Sequence, residues 1–69
     1  MDYRKLRGAI YSRHKSIAAF ARDIGWTRQK LHNIVNGQYL PNTEEVKTIR
    51  KGLNLTRDEA TAIFLPDQP

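Results

Sequence analysis

Apolar residues recur along the chain at intervals of three and four, and nowhere do they alternate with the period of two that a strand requires. The first stripe, Tyr3, Leu6 and Ile10, predicts a helix that Asp2 can cap and that ends near His14. Gly8 lies inside it at a cost of about 1 kcal/mol relative to alanine, which suggests that another helix passes close by. A second stripe, Ile17, Phe20, Ala21 and Ile24, follows the cap candidate Ser16, and Gly25 is placed to end this helix in a left-handed conformation. Thr27 then suits the cap of a third helix with Leu31, Ile34 and Val35 facing inward, closed by the stop signal Asn36-Gly37. Beyond the loop "QYLPN", Thr43 is the expected cap of a fourth helix carrying Val46, Ile49 and Leu53. The "TRDE" stretch at 56–59 has capping-box spacing and opens a fifth helix with Ala60, Ile63 and Phe64, which Pro66 forbids from continuing. The pattern predicts an all-α chain, five helices packed as one compact domain over residues 1–69.

Size and charge sharpen this outline. A chain of 69 residues builds one core that is only marginally stable unless it is well packed or shared with a second copy. The absence of cysteine excludes a disulfide framework and thiolate metal sites. The charged start "MDYRKLRGAI" has no apolar segment of the kind a secretory signal carries, and no run approaches the ~20 apolar residues of a membrane span, so a cytoplasmic protein is expected. The net charge of +5 is uneven: residues 1–37 hold eight basic groups against Asp2 and Asp23, whereas residues 38–69 hold four against five acids. The whole excess lies in the half containing the second and third helices. It is either a solvated face or the footprint of a polyanion, and a basic helix on a membrane surface remains a further reading.

The stretch "FARDIGWTRQKLHNIVNG" at 20–37 gives the charge a purpose. Two short amphipathic helices joined by Gly-Trp-Thr must cross steeply, at roughly 90 to 120°. Such a crossing needs a small residue where the helices meet, a glycine to reverse the chain, and apolar residues around the turn. Ala21, Gly25 and then Phe20, Ile24, Trp26, Leu31 and Ile34 meet these needs, which makes residues 17–36 a helix-turn-helix. Its spacing resembles that of the phage repressor and Cro-type transcriptional regulators, and the resemblance extends to Asn36-Gly37, Pro41 and the "IRKGLNLTRDE" ending.

The resemblance implies a partner and a set of roles. In that family the second motif helix enters the major groove of double-stranded DNA with its N-terminal residues at base edges. Carried onto this chain, it implies Arg28, Gln29 and Asn33 as base readers. Arginine suits guanine O6 and N7, and the two amides suit adenine N6 and N7. Ser16, Thr27, Lys30, Asn36, Gln38 and Tyr39 are implied at phosphates. The implied protein is a repressor at an operator, phage-like, bacterial or phage-encoded and nucleoid-associated.

Two departures from the family pattern stand out. Ile17, followed by Ala18 and Ala19, replaces a phosphate-binding glutamine, and is expected to pack locally. Ile10 and Val35 occupy the positions of an arginine and glutamate that the family often pairs. Replacing both partners of a buried ion pair together is often neutral or stabilising, so this double departure fits the fold.

Other chemistry is sparse. His14 and His32 have no cysteine or carboxylate pair beside them, so neither a metal nor a cofactor is expected. No nucleophile with its base and no phosphate-cradling glycine loop occurs, so no enzyme is expected. Trp26 reads as core rather than as a wedge between bases. Ile63, Phe64 and Leu65 point in adjacent directions of the fifth helix and cannot all enter one core, so they are the expected contact of a homodimer, whether formed in solution or only on DNA. The alternative to a DNA reader is a protein-interaction module on the same fold, antitoxin-like or bound to another regulator, using the Ile17-Ala18-Ala19 face or the fifth helix.

Overall fold

The computed structural model of the chain describes residues 1–65. Five α-helices follow one another: α1 (Tyr3–Arg13), α2 (Ile17–Asp23), α3 (Arg28–Val35), α4 (Thr43–Gly52) and α5 (Arg57–Phe64). The fold is all-α. Pro66, the expected stop of α5, lies outside the described residues.

The caps explain the helix limits. Asp2, Ser16 and Thr27 each accept a hydrogen bond from the backbone N–H three residues on, which satisfies a donor left unpaired at a helix start. Thr56 and Glu59 form the expected reciprocal box. The cap of α4 differs from expectation. Thr43 is its first helical residue, and the cap is Asn42, whose Oδ1 accepts from Glu45 N at 2.8 Å while Glu45 Oε1 accepts from Asn42 N at 2.9 Å. An asparagine cap preferred to the threonine beside it follows from this reciprocity, since only position 42 has a glutamate three residues on.

Three helices end in the same way. Gly25 and Gly37 have φ of +77° and +79°, and their N–H groups bond the carbonyls of Arg22 and Ile34. The next residues, Trp26 and Gln38, reach back to Ala21 and Asn33, both at 2.8 Å, which completes the Schellman arrangement. Asn54, at φ +53°, does the same for α4, with Leu55 N bonded to Arg50 O. In each case the reversal aims the following residue, and two of them, Trp26 and Leu55, pack on or in the core.

The core consists of Leu6, Ile10, Phe20, Ala21, Leu31, Ile34, Val35, Ile49, Leu53, Leu55 and Ile63. Ile10 and Val35 are both buried within it, Val35 at 2 % exposure. Ile17 is partly buried against the same cluster, in agreement with local packing. The close helix approach expected at Gly8 is not there, because a methyl added at Gly8 would have nothing within 4 Å. The crowded glycine is Gly52, where an added Cβ would lie 2.7 Å from Ile24 Cγ2 and 2.8 Å from Phe20 Cε1. The last turn of α4 therefore rests against α2. The chain start is tied to α5 by Asp2 N donating to Ile63 O, and α1 to α5 again by Arg13 and Glu59 at 3.5 Å.

Candidate nucleic-acid interface

Burying Leu31, Ile34 and Val35 turns the opposite side of α3 outward. On that side Gln29 Nε2 donates to Asn33 Oδ1 at 2.9 Å, an i,i+4 bond that aligns the two amides along the helix. Gln29 is exposed and Asn33 half-buried. Arg28, the first helical residue, is exposed and has no hydrogen bond or ion pair among the described residues, so its five donors face solvent. All three groups suited to base edges thus lie on one helix, directly after the turn.

Ser16 and Thr27 flank this helix pair as caps. Their hydroxyl oxygens accept from Ala19 N and Lys30 N, both at 3.1 Å, and each keeps its own O–H donor. Asn36 and Gln38, at the other end of α3, are exposed. Asn36 is held from two sides, by Arg7 Nη2 donating to its Oδ1 at 3.2 Å and by its Nδ2 lying 2.8 Å from His32 Nε2. Arg7 thus brings a cation from α1 to this edge, a neighbour that α1's periodicity alone does not reveal.

Lys30 and Tyr39 have a different setting from their companions. Lys30 Nζ lies 2.8 Å from Glu45 Oε2 and 4.4 Å from the Trp26 ring centre, and Tyr39 OH donates to the same carboxylate at 3.2 Å. Glu45 is the buried charged residue of the described chain, at 8 % exposure. Its carboxyl is held below the ordinary carboxylate range, foremost by the Lys30 hydrogen bond and then by the Asn42 backbone N–H, against the opposing effect of burial. Trp26 packs on the core, as expected of a turn residue.

The three expected dimer residues separate. Ile63 enters the core at 4 % exposure, whereas Phe64 is half-buried and Leu65 is 59 % exposed. Phe64 and Leu65 line an apolar groove with Met1, Leu40, Pro41 and Val46. Leu40, on the loop after α3, is 77 % exposed.

Among the described residues no helix is long and apolar enough to cross a membrane, and no three metal-binding side chains come together. No curated protein and no solved structure matches the chain. A family profile described as a helix-turn-helix domain matches residues 4–63, nearly its whole length, and those bounds run from α1 through the core residue Ile63 of α5. The chain therefore belongs to the helix-turn-helix domain family, whose members bind DNA.

Proposed function

We propose that the protein is a transcriptional repressor of the phage repressor and Cro type that reads an operator through the major groove with α3. The observation that carries this is the outward face of α3, where an unpaired Arg28 stands beside the coupled amides of Gln29 and Asn33. Arg28 pairs with a guanine edge, and Gln29 and Asn33 with adenine edges. The Gln29–Asn33 bond fixes the two amides before binding, which lowers the ordering cost. The O–H donors of Ser16 and Thr27, with the side chains of Asn36 and Gln38, bind phosphates on either side and set the register. The basic excess of residues 1–37 adds affinity that is independent of sequence and sensitive to salt.

One recognition helix reads few base pairs, so two copies related by a twofold axis serve both specificity and stability. The groove formed by Phe64, Leu65, Leu40 and Pro41 supports that contact, with half-sites about 34 to 36 Å apart. The same groove favours a second reading, a protein-interaction module in which the apolar face holds a different partner.

Selection of binding sites from random duplexes tests the proposal. The expected result is enrichment of one motif, repeated as half-sites about one helical turn apart, with affinity that falls steeply with salt. Absence of any enriched motif contradicts operator reading.

A further inference from the structure

Beside α3 lies a carboxylate, Glu45, whose partners are distinct from Arg28, Gln29 and Asn33. Glu45 reaches from the first turn of α4 to Lys30 of α3 at 2.8 Å and to Tyr39 of the intervening loop at 3.2 Å, while its backbone partner Asn42 holds it at 2.9 Å. Lys30 is held on its other side by Trp26, 4.4 Å away. The Glu45 side chain is only 11 % exposed and that of Lys30 37 % exposed. Moving Lys30 onto a phosphate would leave a shielded carboxylate without its cation, an arrangement that opposes the move. We infer that Glu45 is a positioning residue that engages Lys30 and Tyr39 together and withholds their charge and hydroxyl from the DNA backbone.

This inference rests on the DNA-reading function proposed above and deepens it. Phosphate contacts raise affinity for every sequence alike, whereas base contacts separate one sequence from another. A lysine paired with Glu45 contributes less to binding on specific and random DNA alike and leaves Arg28, Gln29 and Asn33 to decide the site. Glu45 thereby lowers affinity for every duplex alike, and with it the salt sensitivity of binding, without touching a base. It is a positioning residue, and its effect is carried by Lys30.

Glu45→Gln tests this with little disturbance of the fold, because glutamine also completes a capping box at this position. Binding to random duplex is measured against salt concentration for the parent, Glu45→Gln, Lys30→Met and the double variant, with Asp58→Asn of α5 as a control for net charge. Released Lys30 adds about one phosphate contact, so the slope of log K against log salt steepens by about 0.9 in Glu45→Gln. That slope, taken from a 1 M reference, corresponds to about eightfold tighter binding to random DNA at 0.1 M salt. Lys30→Met then removes about one unit of slope from the Glu45→Gln protein and less than about half a unit from the parent. An unchanged slope in Glu45→Gln, or an equal rise in Asp58→Asn, overturns the inference and leaves the DNA-reading function standing. Absence of salt-dependent binding by the parent overturns both. Should Glu45→Gln fail to fold, Lys30→Met in the parent decides: loss of a full unit of slope shows Lys30 already on a phosphate and overturns the inference, while loss of less than about half a unit supports it.

Discussion

Alanine placed at Gly8 and at Gly52 makes the same chemical change in two helices and should move stability in opposite directions. At Gly8, in the middle of α1, the new methyl has nothing within 4 Å and φ is that of an ordinary helix. The substitution relieves only the entropic penalty of glycine, which stabilises by roughly 0.5–1 kcal/mol. At Gly52 the methyl would stand 2.7 Å from Ile24 Cγ2 and 2.8 Å from Phe20 Cε1. Carbon atoms rest about 3.5–4.0 Å apart, so the overlap approaches an ångström. Phe20 is fully buried and the Ile24 methyl is on a β-branched chain, so neither yields readily. Overpacking of this kind costs roughly 1–3 kcal/mol, and the small propensity gain at a helix end leaves about 1–2 kcal/mol of net destabilisation. For a domain of this size each kcal/mol shifts the melting temperature by about 4–8 °C. Thermal melts and urea titrations of the two variants should therefore diverge, Gly8→Ala melting above the parent and Gly52→Ala below it. A Gly52→Ala protein as stable as the parent would refute the docking of α4 on α2, and a destabilised Gly8→Ala protein would mean that α1 is covered there.

Other outcomes follow from the same packing. Val35→Glu, which buries a lone carboxylate in the core, should cost about 3 kcal/mol or more, and adding Ile10→Arg should recover much of it; a urea midpoint unchanged by Val35→Glu would place position 35 at the surface. Glu45 and Glu59 are both held below the ordinary value of 4.5, Glu45 chiefly by Lys30 and Glu59 chiefly by the Thr56 backbone N–H. Depressed carboxyls contribute stability that is present above the unfolded value and lost as pH falls through the folded one, so the urea midpoint should fall on acidification below about pH 4.5, and a flat profile down to pH 3 would contradict those hydrogen bonds. Leu65→Lys should lower the protein-to-duplex stoichiometry from two to one in sedimentation with a palindromic site, and an unchanged ratio would remove the α5 groove from the dimer.

Much of this architecture is legible in the chain because it depends on local rules. The stripes Leu6-Ile10, Phe20-Ala21 and Leu31-Ile34-Val35 are the buried faces, and Gly25 and Gly37 take the left-handed positions their spacing demands. What the sequence hides is tertiary. Which glycine meets another helix depends on where α4 docks, so Gly52 was indistinguishable from Gly8 by periodicity. Val46 continues the α4 stripe yet is only half-buried, while its charged neighbour Glu45 is buried, because the carboxylate gains partners from three elements. A trace of this was present, since Asn42 and Glu45 have capping-box spacing immediately after Pro41. The cap could be read from that spacing. The reach of Glu45 to Lys30 could not, because it joins residues 15 apart through the turn after α3. The fifth helix was ambiguous for a related reason: Ile63, Phe64 and Leu65 are all apolar, and only the direction of α5 decides that Ile63 enters the core.

The reading of DNA by α3 is tested most directly by Arg28→Ala, assayed on the selected site and on random duplex at several salt concentrations. A bidentate contact to guanine predicts a loss of about 1 to 3 kcal/mol on the selected site, relaxed preference at one base position, and a much smaller loss on random DNA. Equal losses on the two duplexes would show that Arg28 meets only the backbone, and would contradict the placement of this helix in the major groove.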